Sequence, residues 1–140
     1  MAKKPVTTTA ALSLTRNVHA GTVVVLDNAT GKIITLPASA GNGDIYTVYV
    51  KTTVSSGNHV IQVANGTDVI FGGVAISTDI AGVTMLSNGT NDTITLNGST
   101  AGGLAGSWVR LTDVVAGFWM LEGFLVSTGS EGTPFSAAVS

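Results

Sequence analysis

Short runs of β-branched and aromatic residues, alternating apolar with polar positions, recur along this chain. Clusters of Gly, Asn and Ser separate them at intervals of about ten residues. This spacing predicts an all-β domain, an antiparallel β-sandwich or jelly-roll-like barrel. No stretch keeps apolar residues at i, i+3, i+4 and i+7 for long enough to predict a long helix.

Face matching gives the expected hairpins, because a one-residue slip moves every side chain to the other face. TVVVLD and KIITLP flank Asn28-Ala-Thr-Gly31. A four-residue loop there sets Asp27 opposite Lys32, Val25 opposite Ile34 and Val23 opposite Leu36. DIYTVYVKTTV and HVIQVAN flank Ser55–Asn58, which sets Thr52 opposite Ile61 and Val50 opposite Val63, with Tyr46 and Val48 on the same face. Further strands are expected near Asp68–Ser77, Val83–Ser87 and Asp92–Asn97. The segment Asn97–Gly106, NGSTAGGLAG, reads as a flexible loop within the domain. Residues 1–18 read as an N-terminal arm and residues 19–140 as a single β domain, its strands beginning near Thr22.

SWVRLTDVVAGFWMLEGFL, Ser107–Leu125, reads as two strands and a turn over Asp113–Gly117. Leu111 then faces Trp119 and Val109 faces Leu121, one apolar face that belongs to the core. The other face carries Trp108, Arg110, Phe118, Met120, Glu122 and Phe124. An antiparallel sheet that meets water on one side is usually polar there. A face with three aromatics and a Met is one that something covers: another part of the chain, another copy of it, or a sugar or base stacked on Trp108. Aromatics, Met and Arg are enriched at the cores of protein interfaces, so these six residues are expected near an oligomer contact.

Composition narrows the setting. The chain has 140 residues, 44% of them hydrophobic, enough for one domain with a real core. Only 10% are charged, against about 25% in an ordinary soluble domain. The net charge of −2 supplies no basic field for nucleic acid. There is no Cys, so disulfides and thiolate metal sites are excluded. No signal-peptide core or membrane span is apparent, which predicts a protein made in the cytoplasm that stays out of membranes. N-x-S/T triplets at Asn28, Asn65, Asn88, Asn91 and Asn97 read as turn residues.

Catalytic signals are thin. His19 and His59 form no ligand pair and read as surface or turn residues. The Asp and Glu residues are dispersed, and no two share an expected strand face. Gly41-Asn-Gly43 and Gly102-Gly103 resemble pieces of phosphate loops but run into no helix. Neither a cofactor nor a metal is expected. The arm, by contrast, carries Lys3, Lys4, Pro5 and the run Thr7-Thr8-Thr9, poor core and poor helix but good extended strand. Such an arm could add a strand to a partner's sheet edge, disordered alone and ordered on binding.

The block ITLPASAGNGDIYTVYVKTTV, and NDTITLNGSTAGGLAGSWVRLTDVVAGFWMLEGFL after it, resemble small structural proteins of tailed bacteriophages, above all their capsid decoration, or cement, proteins. The likeness runs from about Val23 to Val139. Its strongest parts are the LPA-x-x-G-x-G-x-x-Y segment and the TITLNGST-x-GG stretch. The resemblance implies a non-enzymatic virion protein made in the host cytoplasm. It would sit on the outer capsid surface as a homotrimer and bind the major capsid protein of the shell. A phage fibre or carbohydrate- or receptor-binding β module is the alternative, and a small glycan hydrolase a distant third.

Overall fold

The computed structural model describes residues 3–140, so the first two residues of the expected arm lie outside the described residues. It is an all-β sandwich of two sheets. Its strands are β1 (Val6–Thr8), β2 (Leu12–Ser13), β3 (Val23–Leu26), β4 (Ile33–Thr35), β5 (Ile45–Val50), β6 (His59–Gln62), β7 (Val69–Ser77), β8 (Gly82–Asn88), β9 (Thr93–Leu96), β10 (Trp108–Val115), β11 (Phe118–Val126) and β12 (Phe135–Ser136), with one helical turn, α1 (Arg16–His19). The seven-stranded sheet runs β1-β3-β5-β10-β11-β7-β8 and the five-stranded sheet β12-β9-β6-β4-β2.

The sheets are mixed rather than antiparallel throughout. From β1 to β6 the chain crosses the sandwich at every connection, so β1, β3 and β5 lie parallel in one sheet and β2, β4 and β6 parallel in the other. Both hairpins expected in this region are therefore absent. The two segments of each hairpin occupy opposite sheets. Asp27 pairs with Lys51 at 2.6 Å, not with Lys32. Alternation tells which side chains point at the core; it does not tell whether a turn folds back into its own sheet or crosses to the other. For β3 the false hairpin also reversed the face: Val24 and Leu26 are buried, not Val23 and Val25. The other expected strands form as β7, β8 and β9.

A single apolar core fills the space between the sheets, with Val24, Tyr46, Val48, Leu111 and Trp119 from one side and Ile34, Ile61, Ile94 and Leu96 from the other. Trp119 stands edge-on to Tyr46, centroids 5.7 Å apart. The arm is not free. β1 and β2 form an edge of each sheet, and Leu14 is buried in the core. Asn28 donates to the Thr9 carbonyl at 2.9 Å, and the Thr22 hydroxyl to that of Lys4 at 2.7 Å.

Turn chemistry accounts for the triplets. The side-chain oxygens of Asn28, Asn65, Asn88 and Asn97 each accept the N–H two residues on, at 2.7 to 3.0 Å, closing Asx turns. Asn91 accepts the Asn88 N–H at 3.1 Å. The Asn97–Gly106 segment is a tightly folded loop. Gly98 has φ +72° and sits so close to the Val54 carbonyl that a Cβ would collide with it. Gly102 and Gly103 donate their N–H groups to Ser127 and Ser107, and Gly41 donates to Asp113. The glycine pairs that resembled phosphate loops thus spend these amides within the chain.

Neither histidine is a surface residue. Nδ1 of His19 accepts the Thr15 N–H at 2.8 Å, which ties the start of α1 to its end. His59 has no exposed surface. Its Nδ1 accepts the Lys32 N–H at 3.1 Å, so the neutral ring carries its proton on Nε2. That Nε2 is buried and has no hydrogen-bond partner within the described chain. Burial pushes the His59 imidazole below its ordinary value.

Candidate functional site

The outer face of the seven-stranded sheet is where chain chemistry and exposure coincide. β10 and β11 are joined by the tight turn Ala116-Gly117, and a bulge between Asp113 and Val115 absorbs one residue. The register is displaced from the expected one: Leu111 pairs with Leu121, Asp113 with Trp119 and Val109 with Gly123. Parity survives the displacement, because it amounts to two residues. Val109, Leu111, Trp119 and Leu121 are buried. Phe118, Met120 and Phe124 are 44%, 45% and 39% exposed, so no other part of the described chain covers them.

Neighbouring strands extend the patch. Trp108 is the register partner of both Tyr49 and Phe124, which makes a row of three aromatics across β5, β10 and β11. Met120 pairs with Phe71, whose ring centroid is 6.4 Å from that of Phe118. Ile45, opposite Thr112, and Leu86, opposite Gly73, are also exposed. Tyr49, Phe71, Ile45 and Leu86 are members that sequence reasoning missed.

Two charges interrupt this face, and they neutralise each other. Arg110 and Glu122 are direct cross-strand partners, with Nη1 3.1 Å from Oε1. The guanidinium also lies over Trp108, 5.6 Å from the ring centroid. An exposed pair of this kind contributes at most about 1 kcal/mol to the fold. Its consequence is electrostatic: two such faces can approach without net repulsion.

The arm and the hairpin face meet. Lys3, Pro5, Val23, Ile45, Thr47 and Arg110 border one groove of about 370 Å³. A second, of about 500 Å³, lies between Lys3, Arg16, Gly43 and Asp44. Their charges are engaged within the chain: the Lys3 ammonium donates to the carbonyls of Asn17 and Ala20, and Arg16 lies 3.0 Å from Asp44. Thr7 points outward in the same row as Val25 and Tyr49, while Thr8 closes a local turn with Ala10. Lys4 and Thr9 contribute their carbonyls to the contacts that hold the arm down.

Among the described residues no group of three or more His, Cys, Asp or Glu is placed to hold a metal ion. No helix there is long and apolar enough to cross a membrane. The buried carboxylates have structural partners. Asp92 accepts the N–H groups of Ala138 and Val139, Asp68 that of Ser39, and Asp113 those of Ala40 and Gly41. Burial works to raise the Asp113 carboxyl, but the amides of Ala40, Gly41 and Asn42 and the Ser39 hydroxyl outweigh it and hold it below the usual value. No family model matches the chain, and neither does any curated protein or solved structure.

Proposed function

We propose that this chain is a non-enzymatic structural protein that covers the outer face of its seven-stranded sheet with further copies of itself. In the finer form of the proposal it is a homotrimeric decoration protein on the outer surface of a bacteriophage capsid. The observation that carries the reading is the outward apolar face on which Tyr49, Phe71, Phe118, Met120 and Phe124 are exposed and Trp108 is half-buried, and whose one ion pair is internally neutral. Contiguous apolar surface of this extent marks an interaction site on a soluble protein. The low charge of the whole chain and the resemblance to decoration proteins support the shell as its setting. The arm, with Lys3 bordering the same groove as Arg110, would supply the margin that meets the major capsid protein.

Phe118, Met120 and Phe124 are already more than half buried in the single chain. Covering each one further contributes about 1 kcal/mol, before the costs of association. Sedimentation of the wild type should give a trimer, and Phe124→Asp should dissociate it while the far-ultraviolet spectrum of the sandwich stays unchanged. A wild type that is monomeric at micromolar concentration would overturn the reading.

The aromatic row Tyr49–Trp108–Phe124 favours a second reading, a glycan-binding module of fibre type. A sugar stacking on Trp108 must first displace Arg110 from the ring. Glycan binding by the wild type that Trp108→Ala abolishes would select this reading.

A further inference from the structure

Four strands end the two sheets among the described residues: β1 and β8 in one, β2 and β12 in the other. Three are guarded. β1, β2 and β12 are two or three residues long. β1 follows Lys3, Lys4 and Pro5, and β12 follows Pro134. Short length, lysines and prolines are the devices that keep a sheet edge from recruiting another strand.

β8 has none of them. It is seven residues long, Gly82–Asn88, and among the described residues it is paired with β7 alone. No charge and no proline occurs anywhere from Ile80 to Asn91. Leu86 is 73% exposed and Ile80 78%. A β-rich segment of this length, without charge or proline, is a ready template for strand pairing.

We propose that β8 is a strand-pairing edge whose occupant is β8 of a second copy. The two strands run antiparallel and join two seven-stranded sheets across a two-fold axis.

The second copy is favoured over a foreign strand by self-complementarity. A two-fold contact brings the same patch against itself. A strand can meet its own copy without penalty only if no like charges end up opposite each other, and β8 carries none. The axis stands perpendicular to the sheet, so both outer faces stay on the same side. Leu86 then continues the apolar surface of Phe71 and Met120 from one copy into the next. The β1 edge of another copy is a poorer partner, being three residues long and flanked by lysines and a proline.

Seven paired residues span about 24 Å. Alone, such an edge buries less than the roughly 800 Å² per partner of a standard interface, so the contact forms in a concentration-dependent way. It does not require the outer face to be covered. If the face closes a trimer, edge pairing joins two trimers; if the face stays open, it makes a dimer.

The test uses the whole chain and the variant Thr84→Lys, which puts a charge on the edge strand and leaves the apolar patch intact. The Thr84 side chain is exposed in the single chain, so the fold tolerates the change, which unaltered thermal melting would check. In sedimentation the variant should lose one two-fold step, halving the mass of the largest species. Phe124→Asp should leave that step in place. Amide exchange gives an independent readout: β8 amides of the wild type should slow at least ten-fold between dilute and concentrated samples. The proposal falls if wild type and Thr84→Lys have the same mass at every concentration. It falls equally if the β8 amides exchange alike when dilute and concentrated, as they would for an edge that takes a strand of a different protein. Either failure, with Phe124→Asp still dissociating the wild type, leaves the face reading standing.

Discussion

Asp113 should be the most sensitive polar position in the fold, because one carboxylate holds the last hairpin to the loop beside it. It sits on β10, 1% exposed, facing Trp119 across the strand pair. Its Oδ1 accepts the Ser39 hydroxyl and the Gly41 N–H, both at 2.8 Å, and its Oδ2 accepts the Ala40 N–H at 2.9 Å. Ser39 carries the contact onward: its Oγ accepts the Gly117 N–H at 3.0 Å, in the turn that leads to Phe118. Asp113→Ala frees the Ser39 hydroxyl to donate to the Val115 carbonyl alone, 2.9 Å away, and strands two amides. Each costs about 1–3 kcal/mol when buried without a partner, and solvent at the loop surface relieves part of it. The sum is about 2–5 kcal/mol, a large share of the roughly 5–15 kcal/mol by which a domain is stable. Asp113→Asn keeps the shape but turns a donor toward donors, so about 2–4 kcal/mol is expected.

The pH dependence gives a second readout with a fixed sign. The native Asp113 carboxyl lies below its ordinary value of 3.8. Above that pH both folded and unfolded chains are ionised and the stabilisation is complete. As pH falls below it the unfolded chain takes up the proton first, and stability declines until the native carboxyl also titrates. Asp27, lowered by its hydrogen bonds to Lys51 and Thr52, declines over the same range. Asp113→Asn should therefore flatten part of the acid slope, and Asp27 should supply part of what remains. Urea unfolding at pH 7 and again between pH 4 and 2 measures both quantities. A loss under about 1 kcal/mol at neutral pH, or an acid slope identical to that of the wild type, would refute the clamp.

His59 should make stability fall in a separate and higher window. The unfolded imidazole takes a proton as pH drops through 6.5, while the buried native ring resists it, so wild-type melting temperature should decline from pH 6.5 toward 5. His59→Gln should be flat there, and parallel curves would acquit His59. Deleting residues 3–14 removes β1, β2 and the ladders they make with β3 and β4, and leaves the Leu14 pocket at a new chain end. The truncated chain should lose at least about 3 kcal/mol of unfolding free energy in urea. An unchanged midpoint would show that the arm adds nothing to the body it lies on.

Much of the sandwich was legible because alternation depends on a strand's own residues. Val48, Val50, Ile61 and Val63 point inward as their spacing requires, although the hairpin invoked to relate them does not exist. Connectivity was not legible, because crossing the core and folding back within a sheet leave the same pattern of inward residues. The arm was misread for a related reason. A Thr-rich stretch fits an edge strand of its own sheet as well as it fits an edge elsewhere, and composition cannot tell the two apart. His59 looked like an ordinary polar residue at a strand start. The partner its Nδ1 finds, the Lys32 amide 27 residues earlier, lies too far along the chain for the local pattern to show.

The outer face divides along the same line. Trp108, Arg110, Phe118, Met120, Glu122 and Phe124 could be grouped because β10 and β11 are joined by a tight turn, and their shared face does not depend on the exact register. Tyr49 and Phe71 belong to strands paired over long sequence separations, β5 with β10 and β11 with β7. Nothing local marks them. Tyr49 is one more aromatic in an alternating run, and Phe71 one apolar residue in a run that is apolar throughout. Their place follows from the two pairings that bracket the last hairpin. These pairings turn a single apolar ribbon, too narrow to dock a protein, into a sheet face spanning four strands. A partner surface needs that breadth, so the hairpin alone, detached from β5 and β7, would retain the residues but not the site.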